Sequence, residues 1–221
     1  MLDWVKNIKD VQLVKIYAQF SEEKIFDYIF ENIGTTNKFL VDFGAGTLNQ
    51  GMSNSRYLLD KGWDGLLMDG NPAGNTIIKQ EFITAENICD LFAKYEVPFI
   101  FDFLSIDIDG NDLHVLKSIL DGGYFPRVIY NEFNGTIPVG INKTIKYNPS
   151  HVFEENDYYG GSFDAFKKML LEYGYTLVYQ VATTNMLFIN DKDVAQKDYG
   201  ISYIQNQYHP HSPNREWIEY K

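Results

Sequence analysis

Several hydrophobic runs in this sequence end on an acid or on a glycine turn, and its candidate chemistry gathers at those endings. The first is Phe39-Leu40-Val41-Asp42-Phe43-Gly44-Ala45-Gly46, a β-branched and aromatic run that passes an acid and enters two glycines around one small residue. Such a run reads as a buried strand that delivers the backbone into a tight turn, where glycine tolerates positive φ and lets a ligand approach the main chain. The second is Trp63-Asp64-Gly65-Leu66-Leu67-Met68, which ends on Asp69, 25 positions beyond Gly44. A nucleotide-binding fold places a ribose-binding carboxylate at about that distance. The others are Phe99–Ile106, which runs into Asp107-Ile108-Asp109-Gly110-Asn111-Asp112, and Arg127–Asn131, which ends on Glu132.

What the first turn lacks narrows the ligand. A dinucleotide fingerprint wants a third glycine where this chain has Asn49, so that helix and strand pack closely around a pyrophosphate. No P-loop lysine follows, which argues against a nucleoside triphosphate. An Asp-x-Gly-x-Gly turn without those features suits S-adenosylmethionine, which carries no phosphate. A plain strand–turn–helix connection explains the two glycines equally well by themselves, and Asp69 tips the reading toward a nucleoside.

Composition sets the outer bounds. The 221 residues, 45% of them hydrophobic, suffice for a real core, and the length favours one domain, 1–221. A formal charge of −11 argues against nucleic acid or an anionic membrane as partner. The single cysteine, Cys89, excludes a disulfide framework and fits a reducing cytosol. Met1–Lys6 mixes charges with apolar residues, so neither a signal peptide nor a membrane span is expected there, and the expected location is cytoplasmic.

The elements that must position these residues follow in order. Residues 1–20 read as an N-terminal arm. Ser21 with Glu22 and Glu23 opens a helix whose face is Ile25, Phe26, Ile29, Phe30 and Ile33 and which Gly34 ends. Ser53 to Lys61 reads as a short helix and Thr76 to Ile83 as a third strand. Thr84 caps a helix that stops before Pro98. The helix of Leu113, Leu116, Ile119 and Leu120 follows the acid-rich turn, and Ser162 caps another carrying Phe163, Phe166, Leu170 and Tyr173. Tyr175–Val181 and Asn185–Ile189 form a closing hairpin. Alternating strands and helices imply a mostly parallel, doubly wound α/β sheet, with ligands at the carboxyl ends where Gly44, Asp69, Asp107 and Glu132 fall.

With these motifs in hand, the chain resembles FkbM-type S-adenosylmethionine-dependent methyltransferases, from about Gln19 to Ile189. The resemblance is carried by Phe39–Gly46, Gly62–Asp69, Leu104–Asp112, Val128–Asn134 and Tyr158–Ser162. It implies a Rossmann-like three-layer α/β/α sandwich whose seven-stranded sheet has one antiparallel strand. It also implies methyl transfer to an oxygen of a small hydroxylated acceptor, a sugar or metabolite. The chain departs from the pattern at Asp69, where many relatives carry Glu, and at Leu48, where a third glycine sometimes occurs.

On that reading Gly44, Ala45 and Gly46 pass beneath the methionine moiety and offer backbone amides. Asp42 holds the turn and reaches the amino group through water, Asp69 accepts both ribose hydroxyls, and Ile83 and Thr84 flank adenine. Asp107 stands beside the sulfonium and the acceptor, with Glu132 and His151 as further catalytic candidates. Asp107, Asp109, Glu132 and Asn134 also form a hard-oxygen set for Mg²⁺. The competing reading is that Asp109, Asn111 and Asp112 cap the next helix around Gly110. His151 reads either as a general base or as an exposed loop histidine, and His114 as structural. His209 and His211 have metal-like spacing without a carboxylate or cysteine beside them in sequence.

Residues 134–161 are too long for an ordinary connection, and their aromatics argue for a lid rather than disorder, with Tyr158 and Tyr159 touching acceptor or cofactor. The tail 191–221 packs either on the body or on a second subunit, giving a homo-oligomer. Two rivals remain: a nicotinamide oxidoreductase, against which the missing glycine and the absence of a Tyr-x-x-x-Lys pair both speak, and a protein that keeps the fold without catalysis.

Thermal unfolding separates these readings. S-Adenosylmethionine or S-adenosylhomocysteine is expected to raise the melting temperature, since a ligand bound only by the native state stabilises by about 2.7 kcal/mol at a hundredfold excess over Kd. Stabilisation by NAD alone would contradict the methyltransferase reading.

Overall fold

The structure, a computed structural model, describes residues 3–46, 48, 53–72, 74–204, 211–212 and 214–220. Each acid-tipped apolar run becomes a strand of one sheet. The strands are β1 (Phe39–Phe43), β2 (Asp64–Asp69), β3 (Lys79–Gln80), β4 (Ile100–Ile106), β5 (Phe125–Glu132), β7 (Tyr175–Val181) and β8 (Asn185–Asn190). Their order is β3-β2-β1-β4-β5-β8-β7. All neighbours are parallel except β8, which runs antiparallel to both β5 and β7. This is the seven-stranded, Rossmann-like sheet with one antiparallel strand that the motifs implied. Strand order reverses between β1 and β4, and a crevice opens at the carboxyl ends on either side of such a switch point.

Helices cover both faces because parallel strands need crossovers and both sheet faces are apolar. On one face α3 (Ile88–Lys94), α4 (Asp112–Asp121) and α5 (Phe163–Glu172) pack Phe92, Leu116 and Phe166 onto Val41, Leu104 and Ile129. On the other, α1 (Glu23–Ile33) and α2 (Arg56–Asp60) bring Phe26, Ile29 and Leu58 onto Leu40, Leu67, Phe103 and Val128. Phe26 is fully buried and meets Phe103 and Tyr130 at centroid distances of 4.9 and 5.4 Å. Burying such a ring is worth about 1.5–3 kcal/mol. No helix among the described residues is long and apolar enough to cross a membrane.

Several local readings are revised. The N-terminal arm contains a 3₁₀ helix, Trp4–Asp10, whose Trp4, Val5 and Ile8 are buried in the α1-side core. Ser21 is not the cap of α1: Glu22 holds that place, and Glu22 and Glu23 are both fully buried. Their carboxylates capture the preceding loop instead of facing water. Glu22 accepts from the Phe20 amide and the Tyr130 hydroxyl, and Glu23 accepts from the amides of Tyr17 and Ala18. The third strand shrinks to two paired residues at the sheet edge, because Asn75 accepts from the Ile77 amide and turns the chain before it reaches β2. The start of α3 moves past Thr84, since Thr84 and Asn87 bond each other's backbone amides in a closed turn.

The stretch 134–161 is built into the body rather than left free. Within it β6 (Lys143–Ile145) pairs antiparallel with β9 (Trp217–Glu219) of the tail. Asn134 accepts from Thr136, and its amide donates to the carbonyls of Asp157 and Tyr159, closing the base of the loop. The Tyr203 hydroxyl bonds the carbonyls of Gly135 and Ile137. The described parts of the tail therefore pack on their own chain.

At the amino ends of the central strands, fully buried Asp102 on β4 gathers the turn before β1. It accepts from the amides of Thr36, Asn37 and Lys38, from the Thr36 hydroxyl at 2.8 Å, and from Arg127 at 3.1 Å. Arg127 extends the network to Asp193 and to the carbonyls of Ile33 and Gly34, tying down the end of α1. Burial alone would raise the Asp102 pKa, but the Thr36 hydroxyl, the amides and Arg127 together hold it below the ordinary carboxylate value. Asp102→Ala leaves three amides without their acceptor and takes one of several partners from Arg127, so urea unfolding at pH 7 is expected to lose about 1–3 kcal/mol. Because the folded pKa is depressed, the contribution of Asp102 is complete above pH ~4 and is lost as pH falls through the folded value. Equal stability of wild type and variant at pH 7 would contradict this account.

Candidate functional site

A cleft of about 370 Å³ opens at the switch point. Its walls are the chain ends that leave the sheet: Gly44 and Gly46 after β1, Asp69 and Gly70 after β2, Glu81–Ile83 after β3, and residues 107–111 after β4. Gln19, Asn54 and His151–Phe153 complete it. The volume lies within the range of small-ligand pockets, roughly 300–1,000 Å³.

Backbone contact between β1 and β4 sets the geometry. Asp107 N donates to Phe43 O at 3.2 Å, extending the ladder one step beyond the strands. Gly44 has φ +69°, and a Cβ there would lie 1.6 Å from the Asp107 carbonyl oxygen. Only glycine fits. The turn then presents its groups unequally. Ala45 N donates to Met68 O at 3.3 Å and Gly46 N to Asp69 Oδ2 at 3.0 Å, so neither amide is an unclaimed donor for a ligand. Asn71 N donates to the other oxygen of Asp69 at 2.6 Å. Two backbone amides thus fix the Asp69 carboxylate at the cleft, and each oxygen keeps acceptor capacity for a hydroxyl. Leu48, where a glycine sometimes stands, has φ 56°, the left-handed region that favours glycine, and buries its side chain in the α1-side core. Asn49 lies outside the described residues.

Asp42 sits below the cleft, 1% exposed, with no hydrogen-bond partner at either oxygen among the described residues. Burial pushes its pKa up to about 6; the nearby Ser55 and Ser105 hydroxyls moderate that rise and the charge of Asp69 adds to it. Ser105 Oγ also accepts from the Asn54 amide at 3.2 Å, which leaves its O–H directed toward Asp42.

Beyond β4, the turn into α4 is organised by Asp112, whose carboxylate accepts from Ile108 N at 2.9 Å and Gly110 N at 2.8 Å. The helix-capping reading is revised: Asp112 folds the turn before α4, and the N-cap residue Asn111 makes no side-chain cap hydrogen bond. Asp109 stands on the same turn at φ 51° and points elsewhere: one carboxylate oxygen each from Asp107, Asp109 and Glu132 all lie within 4.8 Å of one another. Burial, followed by the neighbouring carboxylates, raises the pKa of Asp107 and of Glu132 well above the ordinary range, and the two share protonation. Asp109 is raised by burial and by Asp112. The Tyr159 hydroxyl is likewise driven up, by burial and then by Glu132, Asp109 and Asp107, so it stays a proton donor beside them.

The structure brings most of the expected residues together. Asp69, Asp107, Asp109, Gly44, Gly46 and Ile83 line the cleft, and so does His151. The ring of His151 packs over Gly110, where a Cβ would come within 2.5 Å of it. Its Nε2 is buried without a partner among the described residues. Thr84 is held in its turn with Asn87 and does not line the cleft, where Glu81 and Phe82 stand instead. Ala45, Asp42 and Glu132 lie outside the lining, Glu132 being in reach of Asp107. Tyr158 turns away: its hydroxyl donates to Glu216 O and its ring meets Trp217, because β9 occupies that side of the loop. Asn134 is consumed in closing its loop rather than reaching a cation. His114 bonds the Ile145 carbonyl at 2.9 Å, a structural role. His211 lies 3.9 Å from Asp157 and against Trp217, while His209 is outside the described residues.

Gln19, Asn54, Asn111 and Val152–Phe153 join the cleft without a sequence pattern that announces them. For Gln19 the signal was the Glu22-Glu23 pair, which reads as helix-dipole acids but serves to fold the preceding loop toward the cleft.

No family model and no curated protein sequence matches the chain. Among solved structures it is similar to a crystal structure of a fibrillarin/Nop5p complex, at 11% identity and a TM-score of 0.35, over 73% of this chain and 78% of that one. That likeness is too slight to transfer a function. On its own geometry the chain is a doubly wound α/β protein with a small-ligand-sized cleft at the switch point.

Gly44→Ala is expected to cost far more than the ~1–2 kcal/mol of forcing alanine into positive φ, because its methyl meets the Asp107 carbonyl. Gly62→Ala is the control, since Gly62 has φ +80° with nothing within 4 Å of its Cβ position. Equal losses in chemical denaturation would remove the close approach from the account.

Proposed function

We propose that this protein is an S-adenosylmethionine-dependent methyltransferase of the FkbM type, acting on an oxygen of a small hydroxylated acceptor. The observation that carries the reading is Asp69 at the carboxyl end of β2. Its two oxygens are fixed by Gly46 N and Asn71 N at the edge of the cleft and still free to accept a diol. Phe82, 53% exposed at the same wall, offers a ring face for a planar base beside Ile83. Bound S-adenosylmethionine supplies a methyl group activated by a sulfonium.

The chain's own residues do the rest. Gly44 lets the turn lie against β4, so that a ligand is held between Asp69 and Asp107. Asp107 faces the methyl-bearing end, and its carboxylate field favours a cationic centre there. Alignment of the reacting atoms contributes up to roughly 7–11 kcal/mol in favourable cases. The proton leaving the acceptor hydroxyl goes to His151, which lines the cleft and whose Nε2 has no partner among the described residues.

Calorimetry with S-adenosylhomocysteine tests the reading. Wild type is expected to bind, and Asp69→Ala to lose a charge-assisted contact of about 1.5–3 kcal/mol, or about ten- to a hundredfold in Kd, with unfolding unchanged. Unchanged affinity in Asp69→Ala would take Asp69 out of the site. Absence of binding by wild type would overturn the proposal.

A further inference from the structure

We infer that Asp107, Asp109 and Glu132 form a divalent-cation site on the acceptor side of the cleft, with the Asn111 side-chain oxygen as a fourth hard donor. The three carboxylates come from separate backbone stations: the residue after β4, the turn after it and the end of β5. One oxygen of each lies within 4.8 Å of the others. Ligands around Mg²⁺ or Ca²⁺ sit at about 2.0–2.6 Å, so donors of one shell are separated by at most about twice that distance. The 4.8 Å bound falls inside the limit for Ca²⁺, about 5.2 Å, and exceeds that for Mg²⁺, about 4.2 Å, so Mg²⁺ needs a small inward shift of the side chains.

Asn111 supplies an independent observation. It is 5% exposed and lines the same cleft. Its amide nitrogen donates to Asn148 O at 2.8 Å, which fixes the flip of the carboxamide and leaves Oδ1 as the unbound end. Oδ1 is buried with no partner among the described residues, and so is Glu132 Oε2. A buried oxygen without a donor is unfavourable, and a cation satisfies several at once. No lysine or arginine ion pair reaches these carboxylates among the described residues; Arg127, the most buried arginine of the ion pairs, is committed at the opposite end of the sheet. An all-oxygen donor set selects Mg²⁺, Mn²⁺ or Ca²⁺ over zinc. The site's catalytic meaning rests on the methyltransferase reading, where a hard cation would orient the acceptor hydroxyl and lower its pKa. Its existence does not.

The test uses the full chain, freed of metal with EDTA and dialysed. Mn²⁺ is titrated into it and free ion is followed by electron paramagnetic resonance, with Mg²⁺ as competitor. The expected result is one Mn²⁺ per chain, displaced by Mg²⁺. Asp109→Asn and Glu132→Gln should each bind about tenfold or more weakly, and Glu155→Gln, a solvent-exposed acid, should bind as wild type. Asp109→Asn decides the matter if Glu132→Gln does not fold, as judged by circular dichroism. No saturable binding by wild type, or equal binding by wild type and Asp109→Asn, overturns the inference. S-Adenosylhomocysteine calorimetry in EDTA reports separately on the cofactor reading, so failure of one leaves the other to be judged by itself.

Discussion

The site depends on one contact, the approach of the Gly44 backbone to the carbonyl of Asp107. A Cβ at position 44 would sit 1.6 Å from that oxygen, so β1 and β4 can leave the sheet side by side only where the side chain is a hydrogen. The approach brings the glycine turn, with Asp69 clipped to Gly46, against the acid-rich turn that begins at Asp107. Everything proposed for the cleft needs both turns in that register. The parallel pairing of β1 with β4 delivers it, and the reversal of strand order there leaves the crevice uncovered by a crossover helix.

The protein handles its buried acids in two ways, and the difference separates scaffold from site. Asp102, Asp112 and Glu22 have both oxygens engaged by backbone amides or hydroxyls, with Arg127 added at Asp102, and Glu23 holds two amides on one oxygen. They work as polar rivets that fold the turn before β1, the turn before α4 and the loop carrying Gln19. Asp42 and one oxygen of Glu132 are left without partners among the described residues, and Asp107 faces other carboxylates rather than amides. Clustering like charges in a half-buried place is costly unless protons, a cation or a ligand compensate. The cluster of Asp107, Asp109 and Glu132 stands at the cleft, where binding can recover that cost.

The loop 134–161 and the tail form the second layer of the site. Pairing of β6 with β9 and the Tyr158–Trp217 contact anchor the loop on its far side, so that His151–Phe153 are held at the cleft. His151 has its ring over Gly110, which ties the placement of the loop to the same turn that carries Asp109. The tail thereby acts on the site through the loop it holds.

The sequence alone determined the alternation of strands and helices, the closing hairpin and the acids at strand ends, because these are signals of period, glycine and carboxylate position that local chemistry writes directly. Phe39–Gly46 and the β2 run ending on Asp69 were legible for that reason. Helix starts were less so: Ser21 and Thr84 look like caps, yet buried Glu22 and the Thr84–Asn87 turn decide the geometry, since a capping pattern says nothing about what lies across the chain. The grouping of Asp107, Asp109 and Glu132 was legible from their strand-end positions, but tertiary structure alone decided that Asn134 leaves that group and that Tyr158 faces the tail while Tyr159 keeps to the acids. It alone placed Gln19, Asn111 and Phe153 at one cleft. Those facts depend on strand order and on a C-terminal strand pairing across more than seventy residues, and no local pattern encodes a contact whose partner is that far away.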